Sequence, residues 1–94
     1  MVGQQLPVAK FQAGQVSSAV WVNEVQMPRG TVKILKATIQ RRYKDKEGNW
    51  QSSGSFSRNE IPLAIYCLQK AFEKIIELQN EDRHADSNSE EVVR

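Results

Sequence analysis

The sequence predicts an α+β domain, a four-stranded curved antiparallel sheet followed by one long C-terminal helix. Three observations predict it. Residues 31–44 have one polar and one largely apolar face at strand spacing, turn residues break the stretches on either side, and residues 59–79 carry apolar side chains at helical spacing. The chain has 94 residues, enough for one such domain, and its 39% hydrophobic and 26% charged content is that of a folded protein.

The first strand is short, Lys10-Phe11-Gln12-Ala13, and Gly14-Gln15 separates it from a hairpin partner. That partner, residues 16–27, reads VSSAVWVNEVQM, is rich in β-branched and aromatic residues, and stops at the turn Pro28-Arg29-Gly30. In the third strand Leu35, Ala37, Ile39 and Tyr43 are placed toward a core. Lys36, Thr38, Gln40, Arg42 and Lys44 then project from the other face, because successive strand side chains point to opposite sides. Arg41 interrupts the apolar side. Asp45-Lys46-Glu47-Gly48-Asn49 supplies Gly and Asn where a reversal needs positive φ. The fourth strand, residues 50–56, puts Trp50, Ser52, Gly54 and Phe56 on one side and Gln51, Ser53 and Ser55 on the other, and its small side chains leave room above the sheet.

The helix is expected to start at Asn59 as N-cap, with Glu60 and Pro62 in the first turn, where a missing N–H is harmless, and to end near Gln79. Ile61, Ile65, Leu68, Phe72 and Ile75 fall on one line, flanked by Ala64, Cys67, Ala71, Ile76 and Leu78. This arc spans half the circumference, wider than the stripe of about 100° that one sheet requires. The chain offers no second helix to cover the excess. A homodimer is therefore expected, with Ile61, Ala64, Ile65, Cys67, Leu68, Ala71, Phe72, Ile75 and Leu78 at its interface; a curled sheet wrapping the helix is the alternative. Residues 1–9 are expected to form a flexible arm, 10–79 the folded domain, and 80–94 a disordered acidic tail.

The net charge of +2 conceals an asymmetry. Residues 29–58 hold Arg29, Lys33, Lys36, Arg41, Arg42, Lys44, Lys46 and Arg58 against only Asp45 and Glu47, while the tail is acidic. Such a basic block suits a polyanionic partner, and an acidic tail on the same chain would compete for it. Material for catalysis is poor. The one histidine, His84, falls in the tail, and the one cysteine, Cys67, falls on the apolar side of the helix, where a thiol is ordinarily an inert small hydrophobe. Asp45 and Glu47 read as turn residues, and no glycine-rich loop opens the helix. No enzyme activity, cofactor, metal or small-molecule substrate is expected. No apolar run reaches the roughly 20 residues of a membrane span and the start lacks a secretory pattern, so an intracellular protein without a membrane partner is expected.

Binding of single-stranded nucleic acid needs cations along a groove for phosphates and aromatic faces for unpaired bases. Lys33, Lys36, Arg41, Arg42, Lys44 and Lys46 are the candidates for phosphate, Tyr43 and Trp50 for stacking, and Thr38, Gln40 and Ser52 for supporting hydrogen bonds. Trp21 and Phe56 read more readily as core. Single-stranded DNA with little sequence preference is the expected target and RNA the lesser one. A protein-interaction module using the basic sheet and the apolar helix is the alternative.

On Phe11-Gln12-Ala13-Gly14, the run from Leu35 to Tyr43 closing in Asp45-Lys46-Glu47-Gly48, and Ser57-Arg58-Asn59-Glu60 before the helix, the chain resembles the positive cofactor four family over residues 10–76. These are single-stranded-DNA-binding transcriptional coactivators. The resemblance implies a strand-strand-strand-strand-helix fold, two domains paired through their helices, and curved sheets forming channels for melted DNA. It places Arg41 or Arg42, together with Tyr43, in DNA-contacting roles, and it implies an accessory role in transcription, replication or repair. Ser53-Gly54-Ser55 stands where that family carries basic residues, and the Pro28-Arg29-Gly30 turn is longer than the family's.

Overall fold

The computed structural model describes residues 6–87, with side chains described through Glu81. Four strands, β1 (Ala9–Ala13), β2 (Val16–Met27), β3 (Gly30–Lys44) and β4 (Trp50–Ser53), form one open, curved antiparallel sheet in sequence order. One helix, α1 (Ile61–Ser87), follows. Every connection in the sheet is a hairpin, so each strand pairs with its neighbour in sequence.

The register is continuous across all three hairpins, and it sorts the side chains into two faces. Phe11 and Ala13 of β1, Val16, Ser18 and Val20 of β2, and Leu35, Ile39 and Arg41 of β3 share the face on which α1 lies. The helix runs mainly across β1 and β2, which is why Val16 and Val20 are fully buried while Leu35 and Ile39 are half-buried and Ala37 is exposed. Its own contact line is Ala64, Cys67 and Ala71, all buried. Small side chains bring the helix backbone close to the sheet. The Ser18 hydroxyl can then donate to the Cys67 carbonyl at 2.8 Å, and the Cys67 thiol to the Val16 carbonyl at 3.6 Å. Burial pushes the Cys67 thiol pKa up, keeping it protonated. Gly14 has φ +60, a left-handed conformation that favours glycine in the β1–β2 turn, and a Cβ there would lie 3.3 Å from Leu63 Cδ1 of the helix.

The helix start differs from the expected one. Ser57, not Asn59, makes the capping contacts. Its N–H and hydroxyl both donate to Glu60 Oε1, at 2.8 and 2.9 Å, and its carbonyl accepts from the Glu60 and Ile61 N–H groups. At the other end the helix continues through residues 80–87, which were expected to begin the tail; residues 88–94 lie outside the described residues, as do residues 1–5 of the expected arm. β4 is also shorter than expected. It ends at Ser53, whose hydroxyl accepts from the Ser55 N–H at 3.0 Å, and the chain bends at Gly54. Freed from strand alternation, Phe56 packs against the Val16–Ala64–Cys67 core instead of sharing a face with Trp50.

The helix also corrects the expected interface. Ala64, Cys67 and Ala71 cover the protein's own sheet and are not available to a second chain. Ile75 and Leu78 are half-buried. The large residues Ile61, Ile65, Leu68 and Phe72 remain exposed, Ile65 at 62% and Phe72 at 57%, and Ile76 extends their line. That line lies about a third of a turn around the helix from the sheet contact. No described helix is long and apolar enough to cross a membrane.

Candidate nucleic-acid interface

The face of the sheet opposite α1 carries no element among the described residues, and the register assigns its side chains strand by strand. β3 contributes Lys36, Thr38, Gln40, Arg42 and Lys44. Pairing then adds Trp21 opposite Lys36, Ser17 opposite Gln40, Ser52 opposite Arg42 and Trp50 opposite Lys44. Lys10 and Gln12 of β1 follow through Ala19 and Ser17. Three cations and two tryptophans thus share a sheet face with Lys10 and a row of neutral hydrogen-bonding groups.

Trp50 is 51% exposed and stands under two of the cations. The Arg42 guanidinium lies 5.1 Å from its ring centroid and the Lys44 ammonium 5.4 Å away. These cation–π contacts hold two flexible chains near the aromatic, so charge and stacking surface are presented together. Trp21 is half-buried, and its indole N–H donates to Thr38 Oγ1 at 2.9 Å, which fixes its ring on the same face. Beside Trp50 the sheet carries an open basin of about 400 Å³, lined by Lys10, Gln12 and Ser17 on one side and Gln40, Arg42 and Trp50 on the other, with Gln15 at the turn.

The turn after β3 is built around one carboxylate. Asp45 Oδ1 accepts from the Glu47 and Asn49 N–H groups, both at 2.9 Å, and Oδ2 accepts from the Gln51 amide at 3.0 Å. Led by the Asn49 N–H, these bonds hold the Asp45 pKa below the ordinary carboxylate value. With Gly48 at φ +85, the turn seats Trp50 opposite Lys44.

Four expected contact residues stand elsewhere. Arg41 projects to the helix side, where its Nε donates to the Ser55 carbonyl at 3.0 Å and lies 3.3 Å from Glu60 Oε1. Tyr43 shares that side, beneath the Arg41 guanidinium at 5.0 Å. Lys33 pairs in register with Glu24, also on the helix side of the long β2–β3 hairpin. Lys46 belongs to the turn, outside the strand alternation. The sheet does bring Lys36, Thr38, Gln40, Arg42, Lys44, Trp50 and Ser52 together. Sequence reasoning missed Lys10, Gln12, Gln15 and Ser17, and took Trp21 for core. The signal that would have found them is the parity of β1 and β2 across the Gly14-Gln15 turn, carried over to β3.

Compared with known proteins, the chain matches no family model, no curated protein and no solved structure.

Proposed function

We propose that this protein binds single-stranded nucleic acid, DNA before RNA, on the uncovered sheet face, and that it does so as a homodimer paired through the exposed line of α1. The observation that carries the reading is the co-facial placement of Lys36, Arg42 and Lys44 with Trp50 and Trp21, with no element laid over them among the described residues. Phosphates take the cations, unpaired bases stack on the indoles, and Thr38, Gln40 and Ser52 supply hydrogen bonds. Because phosphate contact and stacking are blind to sequence, most of the affinity is sequence-independent. A duplex suits such a surface poorly, since its bases are already stacked.

The dimer is supported by the apolar line Ile61, Ile65, Leu68, Phe72 and Ile76, a row of large side chains left in water by the single chain. Pairing two such rows removes them from solvent and sets two basic faces in one particle. The layout agrees with the resemblance to the positive cofactor four family, which makes an accessory role in transcription, replication or repair the matching cellular setting. A binding role is supported by the structural tasks of three reactive side chains: Cys67 is buried with its thiol protonated, Asp45 is committed to its turn, and Glu60 to the helix cap.

A salt titration of oligo-dT binding, followed by tryptophan fluorescence, tests the reading. Affinity should fall linearly in log–log form, with a slope near −0.7 per neutralised phosphate, and the fluorescence should be quenched. Unchanged fluorescence with no binding at low salt would instead favour a protein-interaction module.

A further inference from the structure

We propose that the uncovered sheet face grips a strand at two separate anchors, Trp50 with Arg42 and Lys44 at the end of β3 and Trp21 with Lys36 farther back along it, and so selects strands long enough to bridge them. This rests on the reading of that face as a single-strand interface, and it adds a length requirement that phosphate contact and stacking alone do not impose.

The register fixes where the anchors stand. Trp50 pairs with Lys44 and Trp21 with Lys36, eight residues apart on β3. At about 3.3 Å per residue, the two indoles are attached about 26 Å apart along the strand direction. They are the only aromatic side chains that the described strands place on this face. Both are held in place, Trp50 beneath the Arg42 and Lys44 cations and Trp21 by the 2.9 Å bond from its indole N–H to Thr38 Oγ1. Between the anchors β3 presents Thr38 and Gln40, uncharged and paired with Ala19 and Ser17 of β2. Lys10, the remaining cation of the face, stands on β1, two strands from β3. Only a path along β3 meets both indoles and all three β3 cations. A strand crossing the sheet at either end engages one anchor.

Length then decides whether both are used. Nucleotides stacked as in one strand of a duplex rise about 3.4 Å each, and an extended sugar–phosphate chain reaches about twice that. Four consecutive nucleotides therefore span at most about 20 Å and reach one anchor, whereas ten span about 31 Å even when stacked and reach both. Once one anchor is occupied the second binds intramolecularly, so affinity rises in a step and not in proportion to length.

The test holds length, charge and base count fixed. Two fluorescent strands of ten nucleotides, each with four thymines and six abasic sugars, are compared on the 94-residue chain by anisotropy. One carries two thymines at each end, and the other carries all four in the middle, too close together to bridge. The end-thymine strand should bind about tenfold tighter, the scale of one base–aromatic stack, with the same salt slope. Trp21→Ala should bring it down to the level of the middle-thymine strand. Equal, salt-dependent binding of the two strands would overturn the paired anchors and leave the interface standing. A gap that survives undiminished in Trp21→Ala would overturn them too. Absence of salt-dependent binding of both strands and of uniform oligo-dT would remove the interface itself, and the anchors with it.

Discussion

Arg41 reaches across from the sheet to Glu60, its Nε 3.3 Å from the carboxylate, and so joins β3 to the start of the helix. Its chain neighbour Arg42 points through the other side of the sheet to Trp50. Two adjacent arginines therefore lie on opposite faces with different partners. Arg42→Ala should weaken oligo-dT binding about tenfold and reduce the salt slope by about 0.7, the share of one phosphate on a single strand. Arg41→Ala should leave the slope unchanged and lower the thermal midpoint, since Glu60 and the Ser55 carbonyl both lose a partner. Parallel binding and melting curves check both.

Trp50 supplies a stacking face that Trp21, tied to Thr38, does not replace. Removing one base–aromatic stack costs about 1–3 kcal/mol. Trp50→Ala should therefore raise the Kd at least fivefold, and Trp50→Phe should recover most of the loss. In both variants the quenching on titration with oligo-dT should shrink to the Trp21 contribution.

The Glu60 carboxyl is held below its usual pKa of 4.5, first by the Ser57 N–H, then by the Ser57 hydroxyl and the Arg41 charge. A carboxylate depressed by folding stabilises the fold fully above the unfolded pKa, and that stabilisation fades as pH falls through the folded value. Glu60→Gln should thus melt below wild type at neutral pH by a margin that holds in weak acid. The margin should narrow once the pH drops below about 4.5. Melting curves across that range read the sign directly.

Ala71 and Phe72 are adjacent and point apart, one buried against the sheet and one 57% exposed. Ala71→Leu should overpack the helix–sheet contact, costing about 1–3 kcal/mol, without changing the oligomer. Phe72→Glu should leave the fold intact and convert the proposed dimer to a monomer of 10.7 kDa in sedimentation. A dimer that survives Phe72→Glu would place the interface elsewhere.

The alternation of β3 was legible because side-chain parity is local, and it brought out Lys36, Arg42 and Lys44 as a co-facial set. Lys33, Arg41 and Tyr43 join the expected contacts on charge, on nearness to the turn and on the family resemblance, although the same parity puts them on the helix side. Register was harder. Trp21 joins the basic face only because the β2–β3 hairpin sets it opposite Lys36, and a lone tryptophan in an apolar strand reads as core. Gln12 and Ser17 stayed hidden for the same reason, in a short first hairpin without a charge cluster. In the helix, periodicity marked an apolar half but not which part meets the sheet. Close approach favours Ala64, Cys67 and Ala71 over the larger line beside them, because small side chains allow the Ser18–Cys67 hydrogen bond.

The most direct test of the account is a competition at low salt between a fluorescent single strand and its matched duplex for the 94-residue chain. The account predicts that unlabelled single strand displaces the probe at concentrations at least tenfold below those the duplex needs, with Lys36→Ala, Arg42→Ala and Lys44→Ala each weakening the single-strand curve. Equal displacement by duplex, or no displacement by either, would contradict it.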